Sequence, residues 1–320
     1  MQTGKLPIVY SDGYSIELLG LEQLHPFDTV KYKKVYDALL SHAGLAPEQF
    51  YTPQAVTAEQ LLLVHTPAYL KALENPSLTA RIAGVTEIAR IPPHLIEESI
   101  YKPMKLATGG TILAATLALS HGWAINLSGG YHHAKADSGG GFCYFADIPV
   151  AVHILWNKNP ELRILVVDLD AHQGNGYASV FQDDERVFIY DLYNRNIYPL
   201  DKPAAGYIDF AHPVSSGIDD SEYIRILQTT LPDAIKKSNP GLIIYNAGTD
   251  VFEEDPLGGM KLSKKGIVER DSIVFTSALK NNIPVCMVLS GGYTKKSAQI
   301  ISESIEFLIS TVIPAQKPGS

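Results

Sequence analysis

The chain has 320 residues, 46% hydrophobic and 19% charged, which supplies one large core and excludes an intrinsically disordered chain away from the ends. Lys and Arg number 26 against 34 Asp and Glu, a net charge of −8. That balance repels phosphate backbones, and the densest basic window, KYKK at 31–34, is too short for a nucleic-acid patch; basic protein tails or small cations are attracted instead.

Taken in chain order, the first helix signal is a capping box of Thr57 with Gln60. The uncharged stretch between Lys105 and Lys135 is interrupted by glycine pairs and is too short in its apolar part for a membrane span, so it reads as a buried helix followed by a buried strand. Strands are expected at AINL (124–127), RILVVDLD (163–170), VFIY (187–190), GLIIYN (241–246) and PVCMVLS (284–290). They are apolar runs rather than alternating ones, as for strands covered on both faces. Between them, Tyr223–Lys237 puts Ile224, Leu227, Leu231 and Ile235 on one helical face, and Ile267–Lys280 does the same with Ile267, Val274 and Ala278. Strand and helix in steady alternation predict one α/β domain over 1–320, a mostly parallel sheet with helices on both faces, and a frayed tail over about 314–320. Two cysteines, Cys143 and Cys286, make no disulfide framework and fit a reducing compartment; no signal peptide is visible, and a cytoplasmic location is expected.

In parallel sheets ligands gather at the carboxyl ends of the strands. There the chain carries Ser128-Gly-Gly-Tyr-His132-His133, Asp168-Leu-Asp170-Ala-His172-Gln-Gly-Asn175, Ala-Gly-Thr-Asp250 and Ser290-Gly-Gly-Tyr293. Asp170 and His172, two apart, project to the same side and share an ion readily, with Asp250 as a third ligand from another strand end. One nitrogen and two carboxylates suit a divalent ion such as zinc and leave a position for water and substrate. Taken singly, each is better explained otherwise, the aspartates as loop caps and His172 as a core histidine; together at neighbouring strand ends they favour the metal. His132 and His133 would then supply a base and an acid, Tyr293 a donor to a developing oxyanion, and Asp168 a carboxylate that orients His132. A packing role for Tyr293 beside its Gly-Gly turn carries about equal weight on residue type alone.

The strings SGGYHHAKADSGGGFCYFADI, VVDLDAHQGNG, YNAGTDVFEEDPLGG and SGGY resemble the zinc-dependent histone deacetylases, and DLDAHQGNG, YDLYNRNIYP and GLEQLHPFD look most like their class IV branch. The resemblance runs from about Pro7 to Leu308. It implies the arginase/deacetylase fold and a hydrolase that removes acetyl or longer fatty-acyl groups from lysine side chains of proteins. It also implies one Zn²⁺ on Asp170, His172 and Asp250, with Tyr293 as the transition-state tyrosine. His133 would be the proton shuttle and His132 its electrostatic support beside Asp168. Gly141 and Phe142 would line an acyl-lysine tunnel opposite Tyr198, with Leu257 at its rim. A structural K⁺ or Na⁺ would involve Asp168, Asp170, His172, Asp191 and Leu192.

Two departures stand out. Asn175 replaces the aspartate expected behind His133, so His133 should rest neutral, ready to act as a base. A substrate-gripping aspartate has no counterpart in RIPPHLIEES, where Glu97 and Glu98 are the nearest carboxylates. A binuclear arginase-type hydrolase needs further carboxylates where Gly174 and Phe252 stand. An acetylpolyamine deacetylase would want a rim glutamate where Leu257 stands, and an inactive acyl-lysine-binding module should have lost a ligand, a histidine or the tyrosine. Glycines 139–141 and 258–259 beside the tunnel leave room for chains longer than acetyl, or serve turns. The sequence sets neither the oligomeric state nor the physiological substrate.

Overall fold

In the computed structural model, residues 4–316 are described. Seven strands form one parallel sheet in the order β1-β2-β7-β6-β3-β4-β5: β1 (Ile8–Val9), β2 (Trp123–Asn126), β3 (Ile164–Asp168), β4 (Val187–Asn194), β5 (Phe210–Val214), β6 (Leu242–Asn246) and β7 (Val285–Val288). The five expected strands are present, each within a few residues of its predicted span. The two that sequence reasoning missed are the edges. β1 is two residues long, and β5 carries Pro213, which lacks an N–H and is tolerated only where no further strand needs it.

Side-chain alternation explains the unbroken apolar runs. On β3, Ile164 and Val166 enter one core while Leu165 and Val167 enter the other. The first core packs beneath α2 (Lys102–His121), α3 (Asp147–Trp156) and α4 (Asn175–Val180). The second lies beneath α1 (Lys31–Ser41), α5 (Asp220–Ser238), α6 (Lys264–Lys280) and α7 (Ser297–Phe307). Helices therefore cover both faces. The Lys105–Lys135 stretch is indeed a helix and then a strand. Thr57 and Gln60 form the reciprocal cap, Thr57 Oγ1 accepting from Gln60 N at 3.3 Å and Gln60 Oε1 from Thr57 N at 2.9 Å.

The KYKK window is less basic in space than in sequence. Lys31 is fully buried, and its ammonium donates to the carbonyls of Ser290 and Gly291 at 2.8 and 3.1 Å, while Lys33 and Lys34 pair with Asp37 and Asp28. The helical stretch Ser297–Ala315 is long and apolar enough to cross a membrane, yet half of it is buried, with Ile300, Ile301 and Ile305 in the core. Ile313–Ala315 closes a last helical turn where fraying was expected; the rest of that expected tail, 317–320, lies outside the described residues.

Candidate active site

The sheet order makes neighbours of β2, β7, β6 and β3, the four strands whose ends carry the polar clusters. Asp170 and His172 follow β3, and Asp250 follows β6. One ligand atom from each of the three lies within 4.8 Å of the others, and all three residues are buried. His172 Nδ1 is 2.8 Å from Asp250 Oδ2 and 3.1 Å from Asp170 Oδ1. Asp250 Oδ1 accepts from Ala171 N at 2.8 Å, and Asp170 Oδ2 from Ser290 Oγ and Gly291 N, both at 2.9 Å, so backbone and hydroxyl donors orient both carboxylates.

The electrostatics ask for a cation. Burial opposes charge on both acids; for Asp170, His132 and His172 outweigh it and hold the carboxyl well below the usual range. Asp250 is pushed up to about 7 by burial and then by the facing Asp170 carboxylate. The two carboxylates draw His172 up to about 10 against the burial that lowers it. Two buried acids beside an imidazole, with oxygens and a nitrogen converging, form the donor set a divalent metal relieves.

Residues 128–133, which follow β2, carry the histidine pair. Asp147, at the start of α3, accepts from Gly130 N and Tyr131 N, both at 2.8 Å, and from Thr111 Oγ1 at 2.7 Å, which fixes this turn. His132 Nδ1 lies 2.8 Å from Asp168 Oδ2, and Asp168 is itself held by Tyr177 Oη and by Asn246 Nδ2 at 3.0 Å. Burial lowers the pKa of His132, but Asp168 and Asp170 outweigh it and leave it raised. His133 Nδ1 lies 2.8 Å from Asn175 Oδ1, and burial, then His132 and His172, drive its pKa well below the ordinary value. The neutral His133 expected from Asn175 matches this environment.

Tyr293 lines the same cavity as His132, His133, Asp170, Gly141 and Phe142. Its ring centroid is 6.0 Å from that of His172, and its backbone N–H donates to Asp255 Oδ2 at 2.8 Å. Burial, then the Asp170 and Asp250 carboxylates, keep its hydroxyl protonated and able to donate. Gly141 closes on His133: a Cβ there would stand 2.4 Å from its ring, so only glycine lets the wall approach this closely. Tyr198 is half exposed with its ring 4.9 Å from His133, and Leu257 lies at the exposed rim on the turn held by Asp255.

Several residues at the site were not singled out from sequence. Phe27 and His25 pack on the Phe142 ring at 5.2 and 5.0 Å, and Asp255 holds three backbone N–H groups. Arg270 on α6 donates to the carbonyls of Leu169 and Gly248 at 3.0 and 2.6 Å, tying together the two loops that carry Asp170 and Asp250, while Asp271 neutralises it. No local motif marks such a residue; only the fold brings α6 beneath both loops.

The geometry decides three points that the sequence raised. Glu97 and Glu98 pair with Lys105 and Lys102, and Glu97 lines a separate apolar cavity of about 400 Å³ with Leu61, Leu73, Tyr101 and Phe145, so neither faces the site. Gly258 serves close backbone approach rather than added pocket volume, since a Cβ there would lie 1.8 Å from the Asp250 carbonyl oxygen. Gly174 has no room for the second-metal carboxylate, since even a Cβ would sit 1.9 Å from the Tyr177 hydroxyl.

Sheet and site together set a candidate metal triad at the carboxyl ends of a parallel α/β sheet. The histone deacetylase domain model matches residues 25–308. Histone deacetylase 2 of Arabidopsis thaliana is 44% identical over 304 residues, 95% of this chain and 79% of that protein. An uncharacterized protein of Picosynechococcus is 34% identical, with 92% and 94% covered. The crystal structure of the HDA15 HD domain superposes with a TM-score of 0.76 at 21% identity, over 98% of this chain and 90% of that one, a likeness of fold. This chain belongs to the histone deacetylase domain family, and its sheet has the arginase/deacetylase fold.

Proposed function

We propose that the protein is a zinc-dependent lysine deacylase, most like the class IV branch, acting on acylated lysines of proteins or peptides. The observation that carries this is the convergence of Asp170, His172 and Asp250 within 4.8 Å beside a cavity lined by His132, His133 and Tyr293. Asp170, His172 and Asp250 would hold the Zn²⁺, which supplies Lewis acidity, lowering the pKa of water and polarising an amide carbonyl. His133, with Nδ1 engaged by Asn175, takes the proton of the attacking water at Nε2 and returns it to the leaving lysine amine. His132, kept positive beside Asp168, supports the charge that develops. Tyr293 donates its hydroxyl to the oxyanion as the carbonyl carbon becomes tetrahedral. Leu257, exposed on the turn held by Asp255, puts an apolar side chain where a polyamine deacetylase would want a glutamate, which favours peptide substrates.

A structural K⁺ or Na⁺ is part of the same proposal. Asp191 Oδ1 is buried without a partner, and burial and then Asp168 drive the Asp191 carboxyl well above its usual range. A monovalent cation held by Asp168 and Asp191 with the backbone carbonyls of Asp170, His172 and Leu192 would answer both.

The test is kcat/KM on one lysine peptide carrying acetyl, octanoyl or myristoyl, with zinc-loaded protein and a chelator-treated control. The cavity lined by His132, His133 and Tyr293 is small, about 30 Å³. Chelator-sensitive acetyl removal is expected. A longer chain gains about 0.8 kcal/mol per CH₂ only where the walls open to bury it, so a steep rise with length would identify a defatty-acylase. No turnover on all three peptides would overturn the proposal.

A second outcome concerns pH. Because the His133 pKa is depressed, the base stays unprotonated below pH 6.5, and the acid limb of kcat/KM lies below that value. Asn175→Asp places a charge against Nδ1 and favours the imidazolium, so the acid limb should move to higher pH. An unmoved limb would assign the base to another group.

A further inference from the structure

Asn175 poses a problem that an aspartate would not. A carboxylate presents an acceptor to His133 whichever way it turns, whereas an amide presents either its oxygen or its NH₂, and the two orientations demand opposite tautomers of the imidazole. With the oxygen forward, His133 carries its proton on Nδ1 and leaves Nε2 as a base. With the NH₂ forward, Nδ1 must accept, Nε2 carries the proton, and the base is lost.

The other side of Asn175 resolves this. Asn175 Nδ2 donates to Asp201 Oδ2 at 3.0 Å, and Lys135 Nζ donates to the same oxygen at 2.7 Å. Asp201 Oδ1 meanwhile accepts from Ala204 N at 3.1 Å, capping the short helix Lys202–Ala205, and Gln173 Nε2 donates to the Asp201 carbonyl at 3.1 Å. Burial opposes its charge, but the bonds from Asn175 and Lys135 hold the Asp201 carboxyl below the usual range. An ionised carboxylate only accepts, so the amide NH₂ must face it and the amide oxygen must face His133.

We propose that Asp201, seated by Lys135, is a positioning residue for the reaction: through Asn175 it sets His133 in the tautomer protonated on Nδ1 and unprotonated on Nε2. This rests on the deacylase reading for its consequence in turnover, but the tautomer itself does not. Lys135 lies just beyond the histidine pair, Asn175 in the first turn of α4, and Asp201 before a separate short helix, so three segments meet to orient one ring. The part played elsewhere by a single carboxylate is divided here between an amide next to the imidazole and a carboxylate behind it.

Asp201→Asn is the decisive variant. Its remaining oxygen still caps Ala204, so the fold is kept, while an NH₂ replaces the acceptor and lets the Asn175 amide turn over. In the zinc-loaded enzyme kcat should fall on the order of 10²-fold with KM changed less than about twofold, the scale of losing a general base. ¹⁵N spectra of histidine-labelled protein should show His133 Nδ1 moving from the protonated to the unprotonated range. In an Asn175→Asp background, where nothing needs orienting, the cost of Asp201→Asn should shrink to below about threefold. An unchanged His133 tautomer in Asp201→Asn, or the same loss in both backgrounds, would make Asp201 a helix cap only and overturn the proposal. A tautomer shift in a protein inactive on every acyl-lysine peptide would support the relay while defeating the deacylase reading.

Discussion

Asp250→Asn is expected to abolish zinc uptake and turnover together while leaving the fold in place. The substitution keeps an oxygen for Ala171 N, which now bonds Asp250 Oδ1 at 2.8 Å, and removes only the negative charge. That charge is costly in the protein, since burial and the Asp170 carboxylate push the Asp250 carboxyl up to about 7; what makes it worth holding is a cation between the two acids. Zinc at 100 times its Kd stabilises a protein by about 2.7 kcal/mol, so the parent should melt several degrees higher with zinc than with chelator. The variant should show no such difference. Lewis acidity is worth several kcal/mol in the transition state, so kcat/KM should fall by more than about 10³-fold. A variant that kept its zinc-dependent rise in Tm and its turnover would remove Asp250 from the metal site.

Tyr293→Phe should separate catalysis from metal binding. The ring and the backbone bond to Asp255 at 2.8 Å are retained, and only the hydroxyl is lost. Zinc-dependent stabilisation should match the parent, because Tyr293 is not one of the triad whose ligand atoms converge within 4.8 Å. Loss of one oxyanion donor costs about 2.7–4 kcal/mol, so kcat should drop by about 10²- to 10³-fold with little change in KM. Full activity in this variant would reduce Tyr293 to a wall of the cavity and require another donor for the oxyanion.

Much of the sheet was legible because its central strands are covered on both faces. Runs such as ILVVD and LIIYN must then be apolar throughout, a pattern no solvent-facing strand needs. β1 and β5 escaped notice for the complementary reason. An edge strand is short, or tolerates a proline and a histidine, and FAHPV alternates only in burial. The candidate site was legible where chemistry is local: Asp170 and His172 announce themselves by their spacing, and the histidine pair by adjacency. Glu97 and Glu98, the nearest carboxylates in an early segment, could not be placed from sequence, and the structure turns both toward lysines of their own helical segment.

The sequence by itself determined the α/β class, the strands that carry the polar clusters, and the residue types on offer at each strand end. Period-two burial and strand-end chemistry are local properties of the chain, and the family resemblance only sharpened them. Tertiary structure alone decided that β2, β7, β6 and β3 are neighbours, and so that His132, Asp170 and Tyr293 line one cavity with Asp250 converging on Asp170 beside it. It alone brought Arg270 from α6 beneath both ligand loops and set Asp201 and Lys135 behind Asn175. Those contacts join residues 22 to 101 positions apart, and their acceptors are backbone carbonyls and a carboxylate, groups too common for any sequence pattern to single out.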